Sequence, residues 1–334
     1  MLVFFHHCEH VYKEKWLSPL ASFGHDAVIF FFLLSGFVIA HVSGQSEKNW
    51  RQYFVARLAR IYSVVLPMLV VVALLYLLGL ALGYPSYTSP LPGHGWISTY
   101  LASVAFLNQS DILRSELPTN AAYWSVCYEV WYYVLFGCAF YFDGWQRVGL
   151  LVVATFLAGI PILLMFPVWL MGYWFYKFHH RINLTMTTAI LMVSIVMVIY
   201  LGERKLNIDD KLFEHFAQLS GGENFLNARL GFSKRFLVDY ATAILLLMVI
   251  AGSFSLAQHA GSGLLRHAKI IDFLAGRSFS LYLLHMPLLA FVSPFIPSAV
   301  LAMVVILPVI YLFAGVTETR KQPYVRFFRK LLGD

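Results

Sequence analysis

Charged side chains are scarce in this 334-residue sequence, at 12%, about half the roughly 25% of a soluble globular chain. So few charges cannot cover the surface of a soluble protein, and with 60% hydrophobic residues they also exclude disorder and a coiled coil. Cysteine is rare as well. Cys8, Cys127 and Cys138 all lie in apolar runs, which leaves no disulfide framework and no zinc knuckle. Internal repeats and linkers are also missing. What remains is a succession of apolar runs. The net charge of +7 need not signal nucleic acid, because in a membrane protein the placement of cations matters more than their sum. The sequence describes an all-α, polytopic membrane helix bundle. A single integral membrane domain over 1–334, with no appended soluble domain, is expected.

A spanning helix needs about 20 mostly apolar residues, because lipid offers the backbone no partner outside its own helix. Nine runs qualify: 25–43, 62–83, 122–142, 148–163, 166–178, 184–201, 237–257, 271–292 and 297–316. The fourth and fifth share one apolar run with a break expected near Pro161–Pro167, and form either two spans or one kinked helix. A tenth, Met1–Val11, is half the needed length, so about ten transmembrane helices are expected with the first truncated. Met1–Phe5 carries no basic residue, unlike a signal peptide.

Lysine and arginine set the orientation. With the N-terminus inside and ten alternating spans, fifteen of the 24 fall on the inner side, from Lys48, Arg51, Arg57 and Arg60 through Arg266 to Arg326, Arg329 and Lys330. Both termini are then cytoplasmic. Six of the other nine lie in the outer loop 202–236 beside five acids. A second long outer loop, 83–121, contains an apolar middle (Trp96–Asn108) suited to an interfacial or re-entrant helix. The tail Arg320–Leu332 mixes cations with Tyr324, Phe327, Phe328 and Leu331, as a segment lying on an anionic inner leaflet does.

Ionisable groups near a bilayer centre cost about 2.5–3.5 kcal/mol on insertion scales, so each needs a reason. His6-His7-Cys8-Glu9-His10 places His6 and His10 on one helix face, but no third ligand follows at a metal-like spacing. No metal site is expected, and a general base is the better use of one imidazole. Asp26 precedes the aromatic run Phe30–Leu34 and the small pair Ser35-Gly36, which helix packing alone explains. Arg57-Leu58-Ala59-Arg60 sets two guanidiniums three apart, either as a positive-inside anchor or as a phosphate clamp. In Trp124-Ser125-Val126-Cys127-Tyr128-Glu129, the carboxylate sits in an apolar stretch and needs a partner from another helix, either a structural ion pair or an acceptor site. Ser278, Ser280, Tyr282 and His285 make a polar stripe that interhelical hydrogen bonding also explains.

These five segments together resemble acyltransferase family 3, the bacterial membrane sugar O-acyltransferases. Leu2-Val3-Phe4-Phe5-His6-His7 is similar to that family's first helix, and its essential histidine falls on His6. Phe31–Phe37, Arg57-x-x-Arg60, Trp124-Ser125-Val126-x-x-Glu129 and Ser278–His285 follow in the family's order across the whole chain. There are departures. The arginine usually found about eleven residues before the histidine would precede Met1, so the chain is expected to begin late in its first helix. Ser63 replaces a proline, Ile29 replaces an acid, and Thr317-Glu318-Thr319 lacks the proline after its acid.

The resemblance implies an O-acetyltransferase of the bacterial inner membrane. It would move acyl, usually acetyl, from cytoplasmic acyl-CoA to a hydroxyl of an outer-face polysaccharide or lipid-linked sugar. His6 is the expected base, and Glu129 orients it or holds the acceptor. Arg57 and Arg60 bind the donor, while Asp26, Ser35, Trp124, Ser125, Tyr282 and His285 line the substrate path. No tightly bound cofactor and no nucleic acid are expected. A lipid-linked-sugar transporter or flippase, or a polysaccharide polymerase, would use similar residues without thioester chemistry.

Overall fold

The computed structural model describes residues 1–43, 45–84, 95–260 and 268–333. Its regular elements are helices. α1 (Leu2–Tyr12) and the short α2 (Ser18–Ala21) lead into α3 (Gly24–Val42), α4 (Trp50–Ala81) and α5 (Trp96–Val104). α6 (Trp124–Tyr141), α7 (Gly144–Ala158), α8 (Ile160–Phe178) and α9 (Met186–Leu206) follow. Next come α10 (Ile208–Leu219), α11 (Glu223–Leu230) and α12 (Phe236–Ala260), then α13 (Ala268–Ala275), α14 (Ser278–Val292), α15 (Ala299–Val316) and α16 (Gln322–Leu332).

Six helices among the described residues are long and apolar enough to cross a membrane, or seven if the bent pair α13–α14 is one span. The expected ten also counted three weaker segments. α1 has 11 residues and α7 has 15, while α6 has the length but is diluted by Trp, Tyr and Glu129. Boundaries differ from the sequence reading in two places. The chain breaks at Gly159, whose φ of 81° suits glycine, and not at the prolines. Pro161 instead opens α8, where a missing N–H costs nothing, and Pro167 lies within that helix. The expected span 271–292 is bent by 47° between α13 and α14, so the polar stripe begins a helix of its own at Ser278.

Contacts divide the chain into two compact units. One comprises Met1–Ala27, Glu47–Leu157 and Ile270–Asp334. Its longest helix, α4, starts at Asn49, whose side chain accepts the Gln52 backbone N–H and caps the helix. α14 packs on α1, α4 and α15. α16 docks on α4, with Phe328 among Val55 and Ala59 and stacked on Tyr62 at 5.6 Å. The tail thus has a protein face, and its opposite face leaves Phe327 and Leu331 exposed.

Residues 95–121 in this unit form an anchored segment. α5 buries Thr99, Ala102 and Ser103 and exposes Trp96, Ile97 and Leu101. Four bonds fix the segment: Tyr62 Oη to Val104 O (2.8 Å), Tyr123 Oη to Ser103 O (2.8 Å), Trp131 Nε1 to Phe106 O (2.8 Å) and Asn120 Nδ2 to Leu283 O (3.0 Å). Phe106 and Thr119 hold φ near +55°, a region that side chains such as these rarely enter, and neighbouring contacts keep them there. The stretch 85–94 of the same long loop lies outside the described residues, as does Arg266 of the expected inner rim.

The other unit comprises Val28–Ser46 and Ala158–Lys269. α3 and α8 cross backbone to backbone. A Cβ on Gly36 would fall 2.0 Å from Trp169 O, and one on Gly172 would fall 1.8 Å from Leu33 O. Both positions therefore require glycine, as the Ser35-Gly36 pair suggested. α12 packs on α8 and α9. The expected loop 202–236 is instead a small helical cap, with Phe213, Ala217, Leu226 and Val238 as its core. Hydropathy overlooks such a segment because amphipathic helices mix charge with apolar residues.

Candidate active site

His6 stands exposed on α1, and its Nδ1 lies 2.9 Å from the carbonyl oxygen of Ala21 on α2. A carbonyl only accepts, so Nδ1 carries the proton and Nε2 keeps the lone pair of a base. The start of α3 passes directly against the ring. A Cβ on Gly24 would come within 2.4 Å of His6 Cβ and 2.6 Å of Cγ, so this glycine leaves room for the imidazole. Asp26 is buried in the first turn of α3, where a carboxylate meets the positive end of the helix.

Three imidazoles form a row. The His6 and His7 rings are 5.1 Å apart by centroids, and those of His7 and His285 are 5.2 Å apart. His285 is 1% exposed and donates from Nδ1 to Tyr282 O at 2.7 Å, and its Nε2 has no hydrogen-bond partner among the described residues. Phe4 closes one side of this ring at 5.7 Å. No group of three His, Cys, Asp or Glu residues with metal-holding geometry occurs among the described residues.

Glu129 is buried on α6 and accepts a hydrogen bond from Tyr133 Oη, one turn along the same helix. The partner expected from another helix is therefore joined by one from its own. Arg60 lies within electrostatic reach of Tyr133, Glu129 and Glu318, and Tyr282 lies within reach of Glu129. The His6 ring is oriented by the Ala21 carbonyl, while Glu129 belongs to this tyrosine–arginine group.

The two arginines differ sharply. Arg57 is buried and paired with Glu47, with its guanidinium over the rings of Tyr53 (5.6 Å) and Tyr133 (5.9 Å). Arg60, one turn further along α4, is exposed. Burial raises the Glu47 carboxyl above the usual carboxylate range, and the opposing pull of Arg57 is the smaller effect.

Each hydroxyl of the α14 stripe has a partner. Ser278 Oγ donates to Ala275 O at 2.8 Å. Glu318 accepts from the N–H groups of Phe279 (3.3 Å) and Ser280 (2.9 Å) and from Ser280 Oγ (2.8 Å). A carboxylate thus caps the N-terminus of α14, where the helix dipole favours it. Tyr282 Oη donates to Ala122 O at 2.8 Å, leaving Ser125 to donate to Tyr282 at 2.6 Å. Trp124 is buried beside them with its ring 5.0 Å from that of Tyr128. Ser35, in the other unit, accepts from Trp169 Nε1 at 3.1 Å and serves the α3–α8 crossing.

Sequence reasoning did not single out Glu47, Tyr133 or the capping role of Glu318. Glu318 was visible only as an acid without its usual proline, and Tyr133 only as one of several aromatics.

Such a site defines a class: a multi-pass helical membrane protein that sets an exposed imidazole, a buried carboxylate and an exposed arginine within one compact unit. The family model for the acyltransferase domain of family 3 matches residues 1–318, and the chain belongs to that family. Neither a curated protein nor a solved structure matches it. The protein is a membrane acyltransferase.

Proposed function

We propose that this acyltransferase moves an acyl group, acetyl foremost, from cytoplasmic acyl-CoA to a hydroxyl of an outer-face polysaccharide or lipid-linked sugar. On this reading it works in the bacterial inner membrane with both termini cytoplasmic, as the inner excess of Lys and Arg favours. In the reaction the thioester C–S bond breaks and an ester C–O bond forms. The hydroxyl proton passes to His6 Nε2 and leaves with the coenzyme A thiol.

The observation that carries this reading is the His6 tautomer. With its Nδ1 proton committed to Ala21 O, the ring offers a lone pair at Nε2 from a fixed position. Glu129, held by Tyr133 and flanked by Arg60, receives the acceptor sugar. Arg60 meets the donor phosphates first, and Arg57 joins it by exchanging Glu47 for phosphate. On this reading Asp26, Trp124, Ser125, Tyr282 and His285 line the substrate path, with the His285 ring 5.2 Å from that of His7, while Ser35 serves helix packing.

The test is thiol release from acetyl-CoA by purified, reconstituted protein supplied with a glycan acceptor. Turnover that appears with wild type and vanishes with His6→Ala supports the reading. A wild type that turns over no acyl-CoA, or a His6→Ala variant as fast as wild type, overturns it.

A further inference from the structure

The last helix, α16, carries a surface that the acyl-transfer reading does not use. Over 319–333 the chain has five cations, Arg320, Lys321, Arg326, Arg329 and Lys330, and no acid. The docked side of α16 is apolar: Tyr324, Val325, Phe328 and Leu332 pack with Val55, Ala59 and Tyr62 of α4. Phe327 and Leu331, four apart and so neighbours on the helix, take no part in that contact and are 61% and 64% exposed. Arg326 precedes Phe328 by two residues and Lys330 follows it by two. At 3.6 residues per turn both stand on the side turned from α4, and both are exposed.

Two spans place α16 at the edge of the hydrocarbon layer. α4 has no charged residue from Ile61 to Ala81, a run of 21 residues. At 1.5 Å per residue this covers about 31 Å, the thickness of a hydrocarbon core. Arg60 therefore marks the end of the apolar span, and Phe328 stacks on Tyr62 immediately inside it. α15 is likewise uncharged over Ala299–Val316, and one short helical turn (Glu318–Arg320) leads from it to α16. A helix at this level, with Phe327 and Leu331 free on one side and cations on another, suits an anionic headgroup layer. The apolar pair dips among the acyl chains while the cations meet lipid phosphates. A soluble polyphosphate would engage the cations but leave Phe327 and Leu331 in water.

We infer that α16 is a docking surface for anionic phospholipid, which it gathers beside the inner end of α4.

Leu331→Cys supplies one accessible thiol, since Cys8, Cys127 and Cys138 are buried. The full chain is labelled there with the fluorophore NBD and reconstituted in phosphatidylcholine vesicles. These hold, at one mole fraction, either nitroxide-tagged phosphatidylglycerol or nitroxide-tagged phosphatidylcholine. Quenching by the anionic probe should correspond to about fivefold local enrichment, the effect of one cation near an anionic surface. Phe327→Cys, labelled in the same way, repeats the measurement from the neighbouring exposed position. Arg326→Gln combined with Lys330→Gln should lose most of the preference while quenching by tagged phosphatidylcholine persists. A label at Leu77→Cys, exposed near the other end of α4, should show none. Equal quenching by the two probes at 327 and 331, a preference kept in full by the double glutamine variant, or the same preference at 77 overturns the site. No acyl transfer enters the readout, so its failure is separable from failure of the proposed reaction.

Discussion

The two compact units offer a contrast between a close glycine crossing and a set of polar ties. In Val28–Ser46 with Ala158–Lys269, α3 and α8 meet backbone to backbone at Gly36 and Gly172. In the unit that holds His6, the ties are polar: Tyr282 to Ala122 and Ser125, Glu318 to the N-terminus of α14, Asn120 to Leu283, and Arg57 to Glu47. Lipid tails are as apolar as leucine, so burial alone does not pull helices together in a bilayer. Close packing and hydrogen bonds are the means left. The glycine crossing gives contact without chemistry, whereas the polar ties leave titratable groups in place for a reaction.

The largest expected effect tests whether the polar unit separates activity from stability. His6→Ala removes a general base and should lower the rate of acyl-CoA turnover by about 10²–10⁴-fold. Its melting temperature in detergent should stay close to wild type, because the ring is exposed and makes a single hydrogen bond. A fall in melting temperature as large as the fall in rate would make His6 a structural residue. Gly24→Ala should act in the same direction by displacing the ring, seen as a lower kcat with modest destabilisation.

Arg57 and Arg60 divide the polar unit further. Arg57→Gln strands Glu47 in the interior, a change worth about 3–5 kcal/mol when a buried pair loses one member. Thermal melts should show that loss, and Glu47→Gln added to Arg57→Gln should recover part of it. Arg60→Gln should melt near wild type yet raise the KM for acyl-CoA by about tenfold, the worth of one charge-assisted hydrogen bond. Equal melting temperatures for the two single variants would erase the distinction drawn between them.

Gly172→Leu tests the glycine crossing. Overpacking costs about 1–3 kcal/mol where neighbours can yield, and here the obstacle is the backbone oxygen of Leu33, so the upper end or beyond is expected. Size-exclusion profiles of heated samples should show early loss of the monodisperse peak. A wild-type profile would mean that the crossing is looser than its geometry.

The smallest effect is a pH slope. Burial raises the Glu47 carboxyl, so the folded chain binds that proton more tightly than the unfolded chain does. Stability is then greatest below the ordinary carboxylate value of about 4.5 and declines as pH rises above it towards the raised folded value. Melting temperatures followed upward from that pH should fall in wild type, and the fall should be shallower in Glu47→Gln.

Much of the fold was readable from hydropathy because lipid imposes one solution, the helix, on every long apolar run. The bends were not. Gly159 rather than the nearby prolines breaks α7 from α8, since a positive φ interrupts a helix where a proline at its start does not. The amphipathic cap over 208–230 was hidden because its acids look like those of a loop. His6, Glu129 and the arginine pair could be singled out because an ionisable group in an apolar run is costly. Their partners could not, since Glu318 lies 38 residues from Ser280 and Tyr282 lies 157 from Ser125.

The sequence by itself determined that this chain is a many-span helical membrane protein, and which few side chains must justify their place in lipid. Composition decides that much, because the bilayer charges a similar cost for a polar group wherever the chain goes. Only the tertiary structure decided how each of those groups is used. It committed His6 Nδ1 to Ala21, paired Arg57 with Glu47, and left Arg60 exposed. Those outcomes depend on which distant segments meet. Side-chain polarity sets the need for a partner, and only packing chooses it.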